Sequence, residues 1–141
     1  MLRPEFLDRR FPDKDNGIVE ALRDLVWIGG AKQDLKDFPQ PVQRAIGFAL
    51  YRAQKGRTPA TAKPLKGFGG ASVLEIVDDW DGATYRAVYT VRLPTAIYVL
   101  HAFQKKSTHG IATPRREMER IRTRLRQAEK IDAEQRSTRS E

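Results

Sequence analysis

The hydrophobic pattern changes period once along the middle of the chain, from about 3.6 residues to 2. In PVQRAIGFALYRAQKG (41–56), Val42, Ala45, Ile46, Ala49, Leu50 and Ala53 recur at i, i+3, i+4, i+7, i+8 and i+11, one stripe of a helix. Pro41 suits the first helical turn and Gly56 a C-terminal cap. Gly47 costs about 1 kcal/mol against alanine inside a helix, so it marks a close approach to a neighbouring element. After the loop RTPATAKPLKGFGG (57–70), three extended runs follow at 73–77, 85–92 and 96–103. The breaks between them, DDWDG and Leu93-Pro94, are short enough for antiparallel hairpins. In the middle run Tyr85, Ala87, Tyr89 and Val91 share one face, and Arg86, Val88, Thr90 and Arg92 the other. The third run is apolar on both faces, the pattern of a central strand covered on each side. Strict alternation there places His101 on the face of Ile97 and Val99.

Shorter elements flank this middle. LRDLVWI (22–28) reads as a strand closed by Gly29-Gly30, and AKQDLKDFP as one short helix ending near Phe38, before Pro39. Thr113 as N-cap and Pro114 at the first helical position open a last helix. Its apolar stripe is narrow (Met118, Ile121, Leu125, Ala128), and arginine fills 115, 116, 120, 122, 124 and 126. The fold class expected is α+β: two N-terminal helices packed on a small antiparallel sheet, with a basic C-terminal helix. The domain spans 21–130, between a polar extension at 1–20 and a frayed polar tail at 131–141.

Charge adds a direction. Lys and Arg number 26 against 18 Asp and Glu, a formal net charge of +8, and a basic surface attracts phosphate backbones. The bland alternative is a set of solvated charged faces. With no cysteine, thiolate chemistry, disulfides and cysteine-held metals are excluded. Two histidines make a histidine-rich metal site a poor expectation, and no cofactor is expected. No apolar run approaches the ~20 residues that span a bilayer. MLRPEFLDRRFPDKDNG has no apolar signal core, so a cytoplasmic protein without a membrane partner is expected.

No Walker loop, dinucleotide fingerprint, G-x-S-x-G or paired-carboxylate motif is present. What stands out is a set of cations at strand ends: Lys63 and Lys66 before the first hairpin strand, Arg86 in the middle one, and His101, Lys105, Lys106 and His109 at the end of the third. Gathered on one surface, such groups fit an RNA backbone. They also fit its cleavage without a metal, in which a ribose 2′-OH attacks the adjacent phosphate. Lysines with depressed pKa serve proton transfer, and arginine supplies fixed positive charge. Each residue has a plainer role open to it. Lys105-Lys106 can be a solvated strand end, and Arg86 can pair with Glu75 or Asp79 across a hairpin as an exposed ion pair. His101 can be a hydrogen-bonded core histidine.

The order of these pieces resembles the RelE/ParE toxin superfamily, in its phage-related, HigB-like branch. The stretches that carry the likeness are VWIGGAKQDLKDFPQPVQRAIGFALYRAQKG, AKPLKGFGG, YRAVYTV and IYVLHAFQKKSTHGIATP, within 25–128. The resemblance implies two N-terminal helices on a small antiparallel sheet, and a toxin of a type II toxin–antitoxin system. It implies a ribosome-dependent mRNA endonuclease that works without a metal. On the likeness, Arg86 of YRAVY stabilises the scissile phosphate. Lys105 and Lys106 of FQKKS form the basic catalytic cluster, with His101 as a further acid or base. Lys66 lies near the family's basic loop. By charge and position rather than by the likeness, Lys63, and Arg115 and Arg116 at the start of the last helix, are expected to bind RNA with it. The partners implied are a helix-turn-helix antitoxin, the ribosome and mRNA, with operator DNA reached only through the antitoxin. The likeness departs at one point: no tyrosine follows Tyr98, where RelE carries one near its C-terminus. A ParE-like, non-enzymatic inhibitor of DNA gyrase and a degenerate binding module are the alternatives, because fold alone does not separate them.

Overall fold

The computed structural model describes residues 21–69, 72–105 and 113–140. Five strands form one sheet: β1 (Leu25–Trp27), β2 (Ala62–Pro64), β3 (Val73–Trp80), β4 (Ala83–Thr90) and β5 (Ile97–Lys105), in the order β1-β5-β4-β3-β2. Helices α1 (Ala31–Lys36) and α2 (Gln40–Gln54) cover one face, and α3 (Arg115–Ser140) covers the other. The α+β class therefore holds, with a layer of helix on each side of the sheet.

Alternation in β4 builds both cores. Tyr85, Ala87 and Tyr89 pack with Leu35 of α1 and with Val42, Ile46 and Leu50 of α2. Val88 points the other way, toward Ile121 and Ala128 of α3, and joins Val73, Tyr98 and Leu100 there. The α2 stripe is buried as its spacing requires except at Ala45, which faces solvent, while Gly47 is buried. Gln43 Nε2 donates to the carbonyls of Lys36 and Phe38, joining the end of α1 to the start of α2. β3 and β4 run on to a two-residue turn in which Asp81 and Gly82 both have positive φ (+50° and +81°), as a type I′ hairpin demands.

The sheet is mixed rather than antiparallel. β1 runs parallel to β5, pairing Leu25 with Ile97, Val26 with Tyr98 and Trp27 with Val99. Short breaks predict only antiparallel neighbours; a strand returning after two helices and a meander is free to lie parallel. β2 falls within what reads as a loop. It is an edge strand of three residues, antiparallel to β3, and ends at Pro64, which an edge tolerates.

β5 departs from strict alternation. Val88 pairs with His101 and Tyr89 with Val99, so Leu100 is an extra residue, a β-bulge. Ile97 and Val99 face the α1/α2 layer, but beyond the bulge Ala102 takes that side and Phe103 turns to α3. His101 thus lies on the α3 side, not on the face of Ile97 and Val99.

α3 is helical to Ser140, where a frayed tail was expected. Asp132, fully buried, anchors this half: its Oδ1 accepts from Thr95 N (2.9 Å), Thr95 Oγ1 and Tyr98 OH (3.2 Å). Its Oδ2 lies 3.1 Å from Arg136 Nε. Burial pushes this carboxyl up, but the bonds from Thr95 and Tyr98 and the charge of Arg136 outweigh it and hold it below the ordinary value. Among the described residues, no helix is long and apolar enough to cross a membrane.

Asp132→Ala leaves the Thr95 amide without its acceptor and should lower the unfolding free energy by about 2–3 kcal/mol in chemical denaturation. Glu119→Ala, which removes an exposed ion pair with Arg115, should change it by less than about 0.5 kcal/mol. Equal effects of the two would show that Asp132 is no anchor.

Candidate functional site

The cations of β2, β4 and β5 meet around one carboxylate on the α3 side of the sheet. Glu75 of β3 and Arg86 of β4 stand on the same face, two pairing positions apart, since Glu75 is opposite Val88 and Val77 opposite Arg86. Arg86 Nη1 donates to both Glu75 oxygens, at 3.0 and 2.9 Å. The pair is buried, with side chains 7% and 5% exposed, so it is not the exposed cross-strand pair that the sequence allows. Arg86 Nε is buried without a hydrogen-bond partner.

Lys63 stands opposite Glu75 on β2, its Nζ 3.8 Å from Oε1 and its side chain largely in solvent. Lys105 ends β5 opposite Thr84, on Arg86's side of the sheet, and is buried rather than a solvated strand end. Desolvation and the Arg86 charge hold its ammonium below the ordinary lysine value; Lys63 adds to the effect and Glu75 opposes it. Beside this group lies a groove of about 300 Å³ walled by Lys63, Leu65, Lys66, Glu75 and Met118. Arg86 is not among its lining residues and touches the groove through Glu75. Three cations, Lys63, Arg86 and Lys105, thus gather at one carboxylate, with Lys66 on the groove wall, and the patch attracts anions. A buried ion pair roughly breaks even against apolar residues of the same volume, so stability alone is a weak reason for Glu75 and Arg86 to be there.

His101 belongs to a different assembly. Its Nδ1 lies 3.1 Å from Arg124 Nη1, and its Nε2 lies 2.9 Å from Glu117 Oε1. Arginine only donates, so Nδ1 accepts and Nε2 carries the proton that Glu117 receives. The ring is neutral, 2% exposed, and stacked on Phe103. Burial lowers its pKa first; Glu117 opposes this, while Arg124 and Arg120 add to it. Phe103, directly opposite Arg86, separates this latch from the Arg86 cluster. Arg124 Nη1 also donates to the Leu100 carbonyl at 3.0 Å.

Of the other residues singled out in the sequence, Lys106 and His109 lie outside the described residues. Arg115 is exposed and pairs with Glu119 one helical turn on. Arg116 lines a second groove, away from Lys63 and Lys66. The residue that sequence reasoning left without a functional part is Glu75. Its signal was a lone carboxylate on the face that β3 shares with apolar Val73 and Val77. Among the described residues, no group of three or more His, Asp or Glu is placed to hold a metal ion.

Residues 33–126, about two thirds of the chain, match the family described as phage derived protein Gp49-like (DUF891). The chain belongs to that family, which is RelE-like and toxin-like in kind. No curated protein matches it.

The His101 latch ties stability to pH. Burial holds the folded imidazole's pKa below the ordinary value, whereas the unfolded chain takes up its proton near 6.5. Stability should therefore be level above about pH 6.5 and fall as the pH drops below it, by at most about 1.4 kcal/mol per unit. Melting curves of the wild type and His101→Gln between pH 8 and 5.5 check this. The variant should be flatter, and parallel curves would remove His101 from the linkage.

Proposed function

We propose that the chain is the toxin of a type II toxin–antitoxin pair, in the HigB-like branch, and that it cuts mRNA on the ribosome without a metal. The observation that carries this is the buried Glu75–Arg86 pair with Lys105 beside it and Lys63 and Lys66 at the groove. In the reaction a ribose 2′-oxygen attacks the adjacent phosphorus while the bond to the 5′-oxygen breaks. The 2′-OH proton passes to the Glu75 carboxylate, the oxygen base nearest the groove. The leaving 5′-oxygen takes its proton from an ammonium, that of Lys105 or Lys106, and a depressed pKa makes Lys105 a better acid than an ordinary lysine. Arg86, buried behind Glu75, offsets charge that grows on the phosphate oxygens through its fixed positive charge rather than by contact. The products are a 2′,3′-cyclic phosphate and a 5′-hydroxyl. His101 has both nitrogens committed to α3, so proton transfer falls to the other cluster.

The cognate partner is a helix-turn-helix antitoxin, through which alone the pair reaches operator DNA. One alternative has an observation of its own. Arg86 is neutralised by Glu75 in the free chain, which suits a purely structural pair in a protein that acts only by binding, on gyrase or another target.

Controlled expression in cells decides between them. Lys105→Met keeps the aliphatic stem, and Arg86→Lys keeps a charge for Glu75 while losing the arginine fork. Both should relieve growth arrest, with cleavage reduced on the order of 10²-fold or more and the circular dichroism spectrum unchanged. Mapped 5′ ends should fall within translated messages for the wild type only. Full arrest in both variants would overturn the site, and DNA damage signalling with intact messages would select the gyrase alternative.

A further inference from the structure

α3 divides the basic surface in two. On the flank toward β2, Met118 faces the Lys63/Lys66 groove, and Arg122 lies over the Phe68 ring at 5.5 Å. On the flank toward β1, Arg116, Arg120 and Arg124 line a separate groove of about 490 Å³. These three are spaced four residues apart, about 6 Å of helix rise per step, so they stand in a column.

Arg124 is the fixed end of that column. Its Nη1 is held by the Leu100 carbonyl and His101 Nδ1. The rest of its guanidinium lies flat on Gly29, where an added Cβ would come within 2.9 Å of Nε and where φ is +55°. Only glycine admits that approach. Arg116 and Arg120 are exposed, and among the described residues neither has an ion-pair partner. Of the nearby acids, Glu119, also on this wall, pairs with Arg115 and Glu117 with His101, while Asp34 of α1 faces the inner end of the column at Arg124 and His101. Burial and the neighbouring Arg120 charge lower the Arg124 pKa, against Asp34 and Glu117, so like charges crowd here.

We infer that this groove is a second nucleic-acid site, one that grips the phosphodiester backbone of a folded RNA on the flank of α3 opposite the Glu75–Arg86 cluster. The lining decides the class of partner. Thr123 and Gln127 lie beside the arginines and the Gly29 turn closes the far wall, so among the described residues no apolar side chain lines the groove to anchor a protein interface. Arginine, threonine and glutamine side chains are what phosphate contacts use. The contact reads no sequence; it fixes orientation and adds salt-dependent affinity. It stands apart from the cleavage chemistry proposed above, which is scored in cells, whereas the groove is scored on purified chain, so either can fail alone.

The test is titration of the full chain with a labelled RNA hairpin duplex across a range of salt. Arg116→Gln/Arg120→Gln should bind on the order of tenfold to a hundredfold more weakly at 0.1 M salt. The slope of log K against log salt should become shallower by about two. Arg44→Gln/Arg57→Gln removes the same charge from exposed positions outside the groove and should leave the slope near the wild-type value. Equal slopes in the wild type and the groove variant would overturn the inference, as would equal losses in the two double variants. So would unchanged RNA binding with lost binding of a poly-glutamate peptide, which would make the groove a seat for an acidic protein.

Discussion

Leu100 has no partner on β4, because Val88 takes His101 and Tyr89 takes Val99. From that point β5 is out of phase with the half of the strand before it. Without the bulge, His101, Phe103 and Lys105 would share the side of Ile97 and Val99 and point into the α1/α2 layer. With it, all three turn toward α3. His101 meets Glu117 and Arg124, Phe103 joins the second core, and Lys105 comes alongside Arg86. A single inserted residue therefore supplies both the latch that seats α3 and the third cation of the Glu75 cluster. Bulges re-aim side chains in this way next to functional sites.

α3 depends on that arrangement more than most helices do. Its apolar stripe is thin, and polar contacts carry much of its docking: Arg124 on the Leu100 carbonyl at one level, Asp132 under Thr95 and Tyr98 at another. Buried polar contacts of this kind are expensive to leave half made, which fixes where the helix lies. Its position in turn sets the two basic surfaces, since Met118 walls one groove and Arg116 and Arg120 the other.

Much of the architecture was legible in the sequence because it rests on periodicity. The α2 stripe, the alternation of β4 and the doubly covered β5 follow from which residues recur at 3.6 and which at 2. The parallel pairing of β1 was not legible, because register between strands some 70 residues apart is set by tertiary packing rather than by a turn. Nor was the bulge: every residue from Ile97 to Ala102 is compatible with burial on either face, so the sequence carries no mark of the slipped phase. That is why His101 was expected beside Ile97. For the site, Arg86 and Lys105 were visible as cations in a strand context. Glu75 was visible only as a plain pairing partner, since its burial and its place at the groove come from β2, which looked like loop. The last turns of α3 read as a tail because Asp132 announces no partner until the 93–96 turn is placed against it.

The claim on which the functional account turns is that the Glu75–Arg86–Lys105 cluster moves protons around a phosphate and needs no metal. It is tested most directly by the chemistry of the cut ends. Purified chain, first treated with a chelator and then dialysed free of it, is added to translating ribosomes, and the RNA termini are identified by mass spectrometry. Fragments ending in 2′,3′-cyclic phosphate, followed by fragments beginning with a 5′-hydroxyl, are the expected result. Intact messages, or 3′-hydroxyl and 5′-phosphate ends, would contradict it.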